Sequence, residues 1–289
     1  MLGQRLLVCV AVCLLVSVSL FAQQSASTAN PTTSDPQAVA AMQNSVTVLT
    51  GSAPITNVTM SGTVTVNLGS STAAGTITMT ANAAGQSQIT VALPSGNWVT
   101  TANYSANPRT SATTGPNGAV HNSASEEVMG PSPAWFCPAL LINAATSANY
   151  VSSDRGQEVR NGSTVHHISI WPQSSANLLL FSSRTTGRQV LTGPNFSPPI
   201  HVGQEELYLD PSTALPQELD LPVRAYKEKN GTADLTQPIP AREVVQYSDY
   251  QNVRGHLVPL RINVSASGIS ITQVQVSSVQ FNSQSTATD

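Results

Sequence analysis

The histidines of the chain are the first residues to test for metal binding or acid–base chemistry. His166 and His167 are adjacent on a predicted strand, so their side chains point to opposite faces and cannot both reach one metal without a bulge. His121, His201 and His256 stand alone, without a cysteine or carboxylate at the spacing of a zinc site. The pattern therefore predicts neither a metal site nor a cofactor, and it is typical of solvated or turn histidines.

Nucleophilic and paired-carboxylate catalysis also lack a motif. The sequence has no Gly-x-Ser-x-Gly, and no Gly-rich phosphate loop precedes a helix. Glu126 and Glu127 are neighbours, which does not place two carboxylates across a substrate as glycoside hydrolysis requires. Apolar residues surround Cys137, and such surroundings raise the pKa of a thiol and make it unreactive. We therefore predict a protein that is not an enzyme.

The chemistry that the sequence does support is the binding of an apolar ligand. Apolar residues that alternate with polar ones would line one face of a sheet: Met60, Val64, Ile77, Met79, Ile89 and Val91. A short, strongly apolar segment would cover that face as a lid: Trp135, Phe136, Leu140 and Leu141. Such residues form a core when they pack together, or line a cavity for an acyl chain when a barrel is half open. Both alternatives stay open, and all of these residues are candidate ligand-binding residues.

A helix and a series of strands must position these side chains. Ser34 or Asp35 caps a predicted helix that Pro36 begins and Gly51 ends. Beyond Gly51 the apolar residues recur at every second position between Gly-, Ser- and Asn-rich turns, as in an antiparallel meander. Residues 109–124 are predicted to be a loop of small polar residues. The predicted strands of this half cover 58–66, 76–80, 88–93 and 98–104.

The second half of the chain begins with the lid and continues with strands. Ser132 is the predicted N-cap of a lid helix with Pro133 at its first position, and Pro138 should kink this helix or delay its start. Asn161-Gly162 predicts a two-residue hairpin turn. The predicted strands of this half cover 151–160, 164–171, 178–181, 205–210, 219–227, 244–250, 257–264 and 269–281. The fold class is therefore mainly β with α (α+β), with a curved antiparallel sheet under an N-terminal helix and a lid helix.

Charge is scarce and unevenly distributed. The 289 residues include 12 Lys and Arg against 15 Asp and Glu, and 9% are charged, where roughly 25% is usual. This composition excludes a basic nucleic-acid binder. Between Pro36 and Ser125 the one charged residue is Arg109, which could mark two domains or one sheet with a Thr- and Ser-rich outer face. We favour a single β-rich domain over 35–281.

The first residues predict export. Residues 1–22 have the basic start, the apolar run and the small residue before cleavage of a signal peptide, and the run is short of the roughly 20 residues that span a bilayer. Residues 23–34 are a predicted flexible linker, and 282–289 a disordered tail. After cleavage Cys137 is the remaining cysteine, so no internal disulfide can form. The expected location is periplasmic or extracellular, without a membrane span in the mature chain.

Three stretches carry a resemblance to a known family. Asp35–Leu49 is similar to an opening helix, Leu207–Pro216 to an apolar strand that ends in Asp-Pro-x-Thr-x-Leu-Pro, and Tyr247–Ile262 to a Tyr-x-x-Tyr strand pair. Together they resemble the periplasmic lipoprotein-carrier superfamily of LolA-like and LolB-like proteins. The resemblance implies a half-barrel with helices over its open face that binds a lipid without catalysis. The charge-poor region and the extra residues 178–204 depart from the family, and no basic residue matches a family ligand contact.

The sequence thus predicts an exported, non-enzymatic protein that binds a lipid or other apolar ligand in a half-barrel cavity. Its partner would be a lipid or a lipidated protein, and Gly130 and Pro131 are candidate hinge residues for the lid. One alternative is a structural or surface-interaction β protein, which two sheets packed face to face would favour. A second alternative is an extracellular hydrolase, which a cluster of carboxylates and histidine in a cleft would favour.

Overall fold

The computed structural model describes residues 33–51, 53–68, 71–123, 127–173, 203–229, 232–266 and 268–282. At 68 and over 223–241 it describes the backbone alone. These residues belong to one compact unit, Pro31–Asp289. The predicted signal peptide, almost all of the predicted linker, the strand predicted at 178–181 and the tail after Asn282 lie outside the described residues.

The described strands form one open, curved antiparallel sheet, which confirms the predicted α+β half-barrel. They are β1 (Asn57–Leu68), β2 (Ser71–Asn82), β3 (Gln86–Leu93), β4 (Gly96–Asn103), β5 (Thr110–Thr114), β6 (Val120–Asn122), β7 (Tyr150–Arg160), β8 (Ser163–Pro172), β9 (Glu205–Leu209), β10 (Pro216–Lys229), β11 (Thr232–Val253), β12 (His256–Ala266) and β13 (Ile269–Phe281). The helices are α1 (Pro36–Thr50), α2 (Pro138–Ala145) and a short 3₁₀ helix (Glu127–Met129).

The strand order divides the sheet into two meanders that meet at one seam. The order is β6-β5-β4-β3-β2-β1-β13-β12-β11-β10-β9-β8-β7, so β1 lies between β2 and β13. At the seam Val58 pairs with Phe281 and Val64 with Val274. We call β1–β6 the N-terminal arm and β7–β13 the C-terminal arm. Both helices pack with the apolar face of the sheet in one core.

Helix α1 begins and ends where the sequence predicts. Oδ1 of Asp35 accepts a hydrogen bond from the backbone N–H of Gln37 at 2.8 Å, and Pro36 is the first helical residue. Gly51 follows at a φ of +59°, a conformation that favours glycine. The helix buries Met42 and Leu49 against the sheet, as its apolar stripe predicts.

The lid helix starts later than its apparent cap suggests. Helix α2 begins at Pro138, and Oγ of Ser132 accepts a hydrogen bond from the N–H of Ala134 at 3.1 Å within a turn. A proline disfavours the helical conformation of the residue before it, so the helix is delayed to Pro138, one of the two outcomes predicted for this residue. Trp135 and Phe136 therefore lie in the turn before the helix. We call residues 132–145 the lid segment.

The prediction of a loop over 109–124 is wrong, because Thr110–Thr114 and Val120–Asn122 form β5 and β6. Strand β5 pairs with β4, and the hydroxyls of Thr100 and Thr113 lie 2.8 Å apart across the pair. The turn between β5 and β6 is closed by a hydrogen bond from the N–H of Gly115 to the carbonyl of Ala119. Thr and Ser occupy both faces of β5, so no apolar alternation marks it as a strand.

The predicted hairpin between β7 and β8 is confirmed. Asn161 and Gly162 have φ values of +52° and +82°, the left-handed pair that a type I′ turn requires. Strands β11 and β12 are longer than predicted, with 22 residues in β11, and β13 has the predicted bounds. Among the described residues, no helix is both long and apolar enough to cross a membrane.

Candidate ligand-binding site

The strand residues predicted to bind a ligand lie on the face of the sheet that meets the helices. Met60 pairs with Met79, which in turn pairs with Ile89, so the row crosses three neighbouring strands. The most buried members are at most 3% exposed: Met60, Val64, Ile77 and Met79. Ile89 and Val91 are partly buried against the same cluster.

The predicted lid residues join this cluster from the other side. Phe136, Leu140 and Leu141 are at most 4% exposed, and Trp135 is partly buried. The rings of Trp135 and Phe136 meet edge to face with their centroids 5.8 Å apart. The sheet and the lid segment therefore contact each other directly, and a long acyl chain can enter only where the lid segment moves.

Hydrogen bonds hold the lid segment to the C-terminal arm. The hydroxyl of Tyr247 on β11 donates to the carbonyl of Trp135 at 2.6 Å. Tyr247 is itself buried, so this bond crosses the core. No covalent link joins the lid segment to the sheet within the described residues, and Cys137 in it is a free thiol. Burial raises the pKa of the Cys137 thiol to about 11, which fits the unreactive cysteine predicted from its neighbours.

Arg109 fixes the backbone that leads into the lid segment. Its Nη1 donates to the carbonyl of Gly130 at 3.1 Å and lies near the carbonyls of Val128 and Met129. The hydroxyl of Tyr150 donates to the same carbonyl of Gly130 at 2.7 Å. The predicted hinge at Gly130 is thus buried and doubly bonded, and a lid movement about it has to break both bonds.

A cavity of about 200 Å³ remains open beneath the lid segment, between the two arms. We call it the lid cavity. Its apolar wall consists of Ile89, Ala102, Pro133, Trp135, Leu221 and Pro222, and its polar wall of Ser87, Thr100, Tyr104, Ser111, Ser123, Glu127, Ser132, Glu205 and Glu243. An apolar cavity of about 150 Å³ is large enough to bind benzene, so the lid cavity fits a small group or the end of a chain.

Three carboxylates stand among the hydroxyl groups of the polar wall of the lid cavity. Glu205 on β9 is 3% exposed, and burial raises its pKa to about 8 despite the nearby Arg242 guanidinium. Burial, followed by the charge of Glu127, also raises the pKa of Glu243. The hydroxyl of Tyr104 donates to the carbonyl of Glu127 at 2.6 Å and so closes one end of the cavity.

Sequence reasoning missed this acidic wall, although part of its signal was present. Glu205 falls two and four residues before Leu207 and Leu209, so the period of a strand places it on their buried face. Arg109 stood out as the one charged residue of a long stretch. The convergence of Glu127, Glu205 and Glu243 depends on how the arms curve, which no local pattern shows.

Two further cavities lie outside the lid cavity. One of about 280 Å³ separates α1 from α2 and is lined in part by Val46, Ile55 and Leu140. A larger groove of about 540 Å³ contains residues from two of the stretches that carry the family resemblance, among them Tyr208 and Tyr250. Its Glu218 already pairs with Arg160 and accepts hydrogen bonds from Asn161 and Gln246 at 3.2 Å each.

The histidines of β8 are paired rather than solvated, which corrects the sequence interpretation. Nε2 of His166 lies 2.9 Å from Asp154, and Nε2 of His167 lies 3.0 Å from Glu206. The hydroxyl of Ser169 donates to the same Glu206 at 2.6 Å, so this carboxylate joins Ser169 and His167. In the described ranges, no group of three or more His, Cys, Asp or Glu side chains could hold a metal ion.

Comparisons with known proteins find similarity of structure. No protein-family model matches the chain, and no curated protein matches it. A LolA superfamily protein from Nitrosomonas europaea is 9% identical with a TM-score of 0.47, over 86% of this chain and 94% of that chain. A DUF1329 family protein from Desulfovibrio piger is 8% identical with a TM-score of 0.46, over 85% and 92%.

A domain from Vibrio parahaemolyticus, named as an outer membrane lipoprotein-sorting protein, is 11% identical with a TM-score of 0.46, over 85% and 92% of the two chains. At these identities the likeness concerns the fold alone. The TM-scores lie below 0.5, so the resemblance to lipoprotein carriers stays a prediction from the sequence.

Proposed function

We propose that this chain is an exported, non-enzymatic protein that binds a lipid or another apolar ligand between the sheet and the lid segment. The binding residues would be those predicted from the sequence, with Ile89 and Trp135 at the entrance and the buried methionines deeper inside. A lipid or a lipidated protein would be the partner.

The observation that carries this proposal is the lid cavity. It is open space with an apolar wall, next to a continuous apolar core, under a segment that apolar packing and a hydrogen bond from Tyr247 hold in place. A packed core has few voids larger than a water molecule. A ligand longer than the cavity would extend it by displacing the side chains of the lid segment from Met60 and Met79.

The architecture supports this proposal over its two rivals. The described strands form a single sheet, whereas two sheets packed face to face would favour a surface-interaction protein. The lining of the lid cavity has carboxylates but no histidine among the described residues, so the cluster of carboxylates and histidine that would favour a hydrolase is not formed there.

Native mass spectrometry tests the proposal. The chain is purified without detergent, and its native mass is compared with its denatured mass. We expect an added mass that organic extraction removes, or the uptake of dodecanol by the extracted protein. A bare chain that takes up neither dodecanol, nor fatty acids, nor phospholipids would contradict the proposal and leave the apolar face as ordinary core.

Two tryptophan variants locate the site. Trp135 lines the lid cavity, whereas Trp98 on β4 is 39% exposed and does not line it. We expect Trp135→Ala to weaken dodecanol binding roughly tenfold, because it removes a large apolar contact, and Trp98→Ala to leave it unchanged. Equal effects of the two substitutions would place the ligand elsewhere.

A further inference from the structure

We propose that the lid cavity selects amphiphiles with an amine head group, which Glu205 binds. This inference rests on the proposed function, since it names the ligand class of the same site. Three features of the cavity carry it: a carboxyl oxygen without a partner among the described residues, a wall of acidic and hydroxyl groups, and the engagement elsewhere of the two described arginines nearby.

The first feature is the state of Glu205. Its side chain is 3% exposed, and its Oε2 is fully buried without a hydrogen-bond partner among the described residues. A buried polar atom without a partner loses its hydration uncompensated, so such atoms are rare in folded proteins. Gly130 packs against the other oxygen of the same carboxyl group, where a Cβ atom would overlap it. The carboxyl group is thus fixed in place at the cavity wall with one acceptor unused.

The second feature is the charge of the wall. Glu127, Glu205 and Glu243 all line the cavity, and none of the described lining residues is Lys, Arg or His. Fatty acids and phosphate groups would bring a further negative charge to these carboxylates. An ammonium group brings the opposite charge and three hydrogen-bond donors, which match the carboxylates and the hydroxyls of the wall.

The third feature is that the nearest cations among the described side chains already have partners. Nε of Arg242 donates to Oδ1 of Asp220 at 2.6 Å, and its Nη2 donates to the carbonyls of Gln204 and Asp220 at 2.9 and 2.8 Å. Arg109 is bound by the carbonyls before the lid segment and by Tyr150. Neither guanidinium therefore satisfies Oε2 of Glu205, and a donor from a ligand would.

The titration of Glu205 supplies a signature of binding. The described titratable groups around it are Arg242, Glu206, Tyr104, Tyr150 and Tyr247, with Glu127 and Glu243 also lining the cavity. Burial raises the pKa of Glu205 to about 8, so the empty site holds a proton at pH 7. An ammonium group stabilises the carboxylate, and the carboxyl proton then leaves to solvent when the ligand binds.

Calorimetry with three twelve-carbon probes tests this inference. Dodecylamine, dodecanol and dodecanoic acid share one chain and differ only in the head group. At pH 7 we expect dodecylamine to bind about tenfold or more tightly than the other two. Titrations in buffers with different ionisation enthalpies should report release of close to one proton per dodecylamine, and none for dodecanol.

Matched variants assign the selectivity to Glu205. Glu205→Gln should remove both the preference for the amine and the proton release, while dodecanol binding persists. Glu158→Gln is the control, because the side chain of Glu158 is 44% exposed and pairs with His167 instead. If Glu205→Gln does not fold, the buffer dependence of the wild-type binding enthalpy still shows whether dodecylamine binding releases a proton.

The outcomes separate this inference from the proposed function. Equal affinities for the three probes, or amine binding without proton release, would overturn the amine preference and leave apolar binding intact. Failure of all three probes to bind would overturn both.

Discussion

At the scale of single residues, the chain keeps a few polar groups inside an apolar interior. Arg109 is surrounded by backbone carbonyls and the Tyr150 hydroxyl, so its charge is well solvated by the protein. Glu205 has no comparable partner, and its pKa is raised by burial to about 8. The difference indicates that Arg109 has a structural role in positioning the backbone before the lid segment, whereas Oε2 of Glu205 is an acceptor that no described residue uses.

The raised pKa of Glu205 makes stability depend on pH. Between the ordinary value of 4.5 and about 8, the folded protein holds a proton that the unfolded chain has released. The stabilisation of the folded state by this proton is complete below pH 4.5 and is lost as pH rises towards 8. The loss is at most about 1.4 kcal/mol per pH unit. The amide of the Glu205→Gln variant does not titrate. We expect this variant to gain unfolding free energy relative to wild type as pH rises from 5 to 8.5. Urea unfolding at pH 5, 7 and 8.5 measures this difference, and parallel pH profiles would contradict the prediction.

At the scale of elements, local signals were sufficient where one residue decides the structure. Asp35 and Pro36 fix the start of α1, and Asn161-Gly162 fixes the turn between β7 and β8. Strands β5 and β6 escaped prediction because their residues are small and polar on both faces, and pairing with β4 rather than local pattern forms them. The alternating apolar residues identified one face of the sheet, but whether they meet the lid segment depends on tertiary packing.

The lid segment should loosen when its bond to β11 is removed. Tyr247→Phe deletes the hydroxyl that donates to the Trp135 carbonyl, and we expect a loss of about 1 kcal/mol in unfolding free energy and faster uptake of dodecanol. Stopped-flow binding measures the uptake rate.

Tyr250→Phe is the matched control for this change. The hydroxyl of Tyr250 donates to the carbonyl of Pro216 at 2.7 Å, and Pro216 is not part of the lid segment. It should cost similar stability without accelerating uptake. Equal uptake rates in the two variants would show that the Tyr247 bond does not restrain the lid segment.

At the scale of the whole molecule, one seam joins the two arms into a single sheet. Gly62 lies at an irregularity of the β1–β13 pairing, and a Cβ atom there would overlap the backbone carbonyl of Gln275. Because this obstacle is backbone, it cannot move aside as a flexible side chain would. The close approach of the two strands therefore requires glycine at this position.

The seam should limit the stability of the whole sheet. We expect Gly62→Ala to lower the unfolding free energy by about 3 kcal/mol, at the upper end of the cost of overpacking. Ser61→Ala at the neighbouring position should change it by less than about 0.5 kcal/mol. Urea unfolding followed by circular dichroism measures both, and a Gly62→Ala protein as stable as the Ser61→Ala protein would contradict the prediction.

The same strand order has a consequence for folding during synthesis on the ribosome. About 200 residues separate the end of β1 from the start of β13, its seam partner. At roughly 5–20 residues per second, translation of that stretch takes on the order of 10–40 s. Throughout this time the nascent β1 offers a bare edge, in an arm whose strands carry no lysine to deter mispairing. The newly made chain is therefore expected to rely on a chaperone that shields β1 until the last strand arrives.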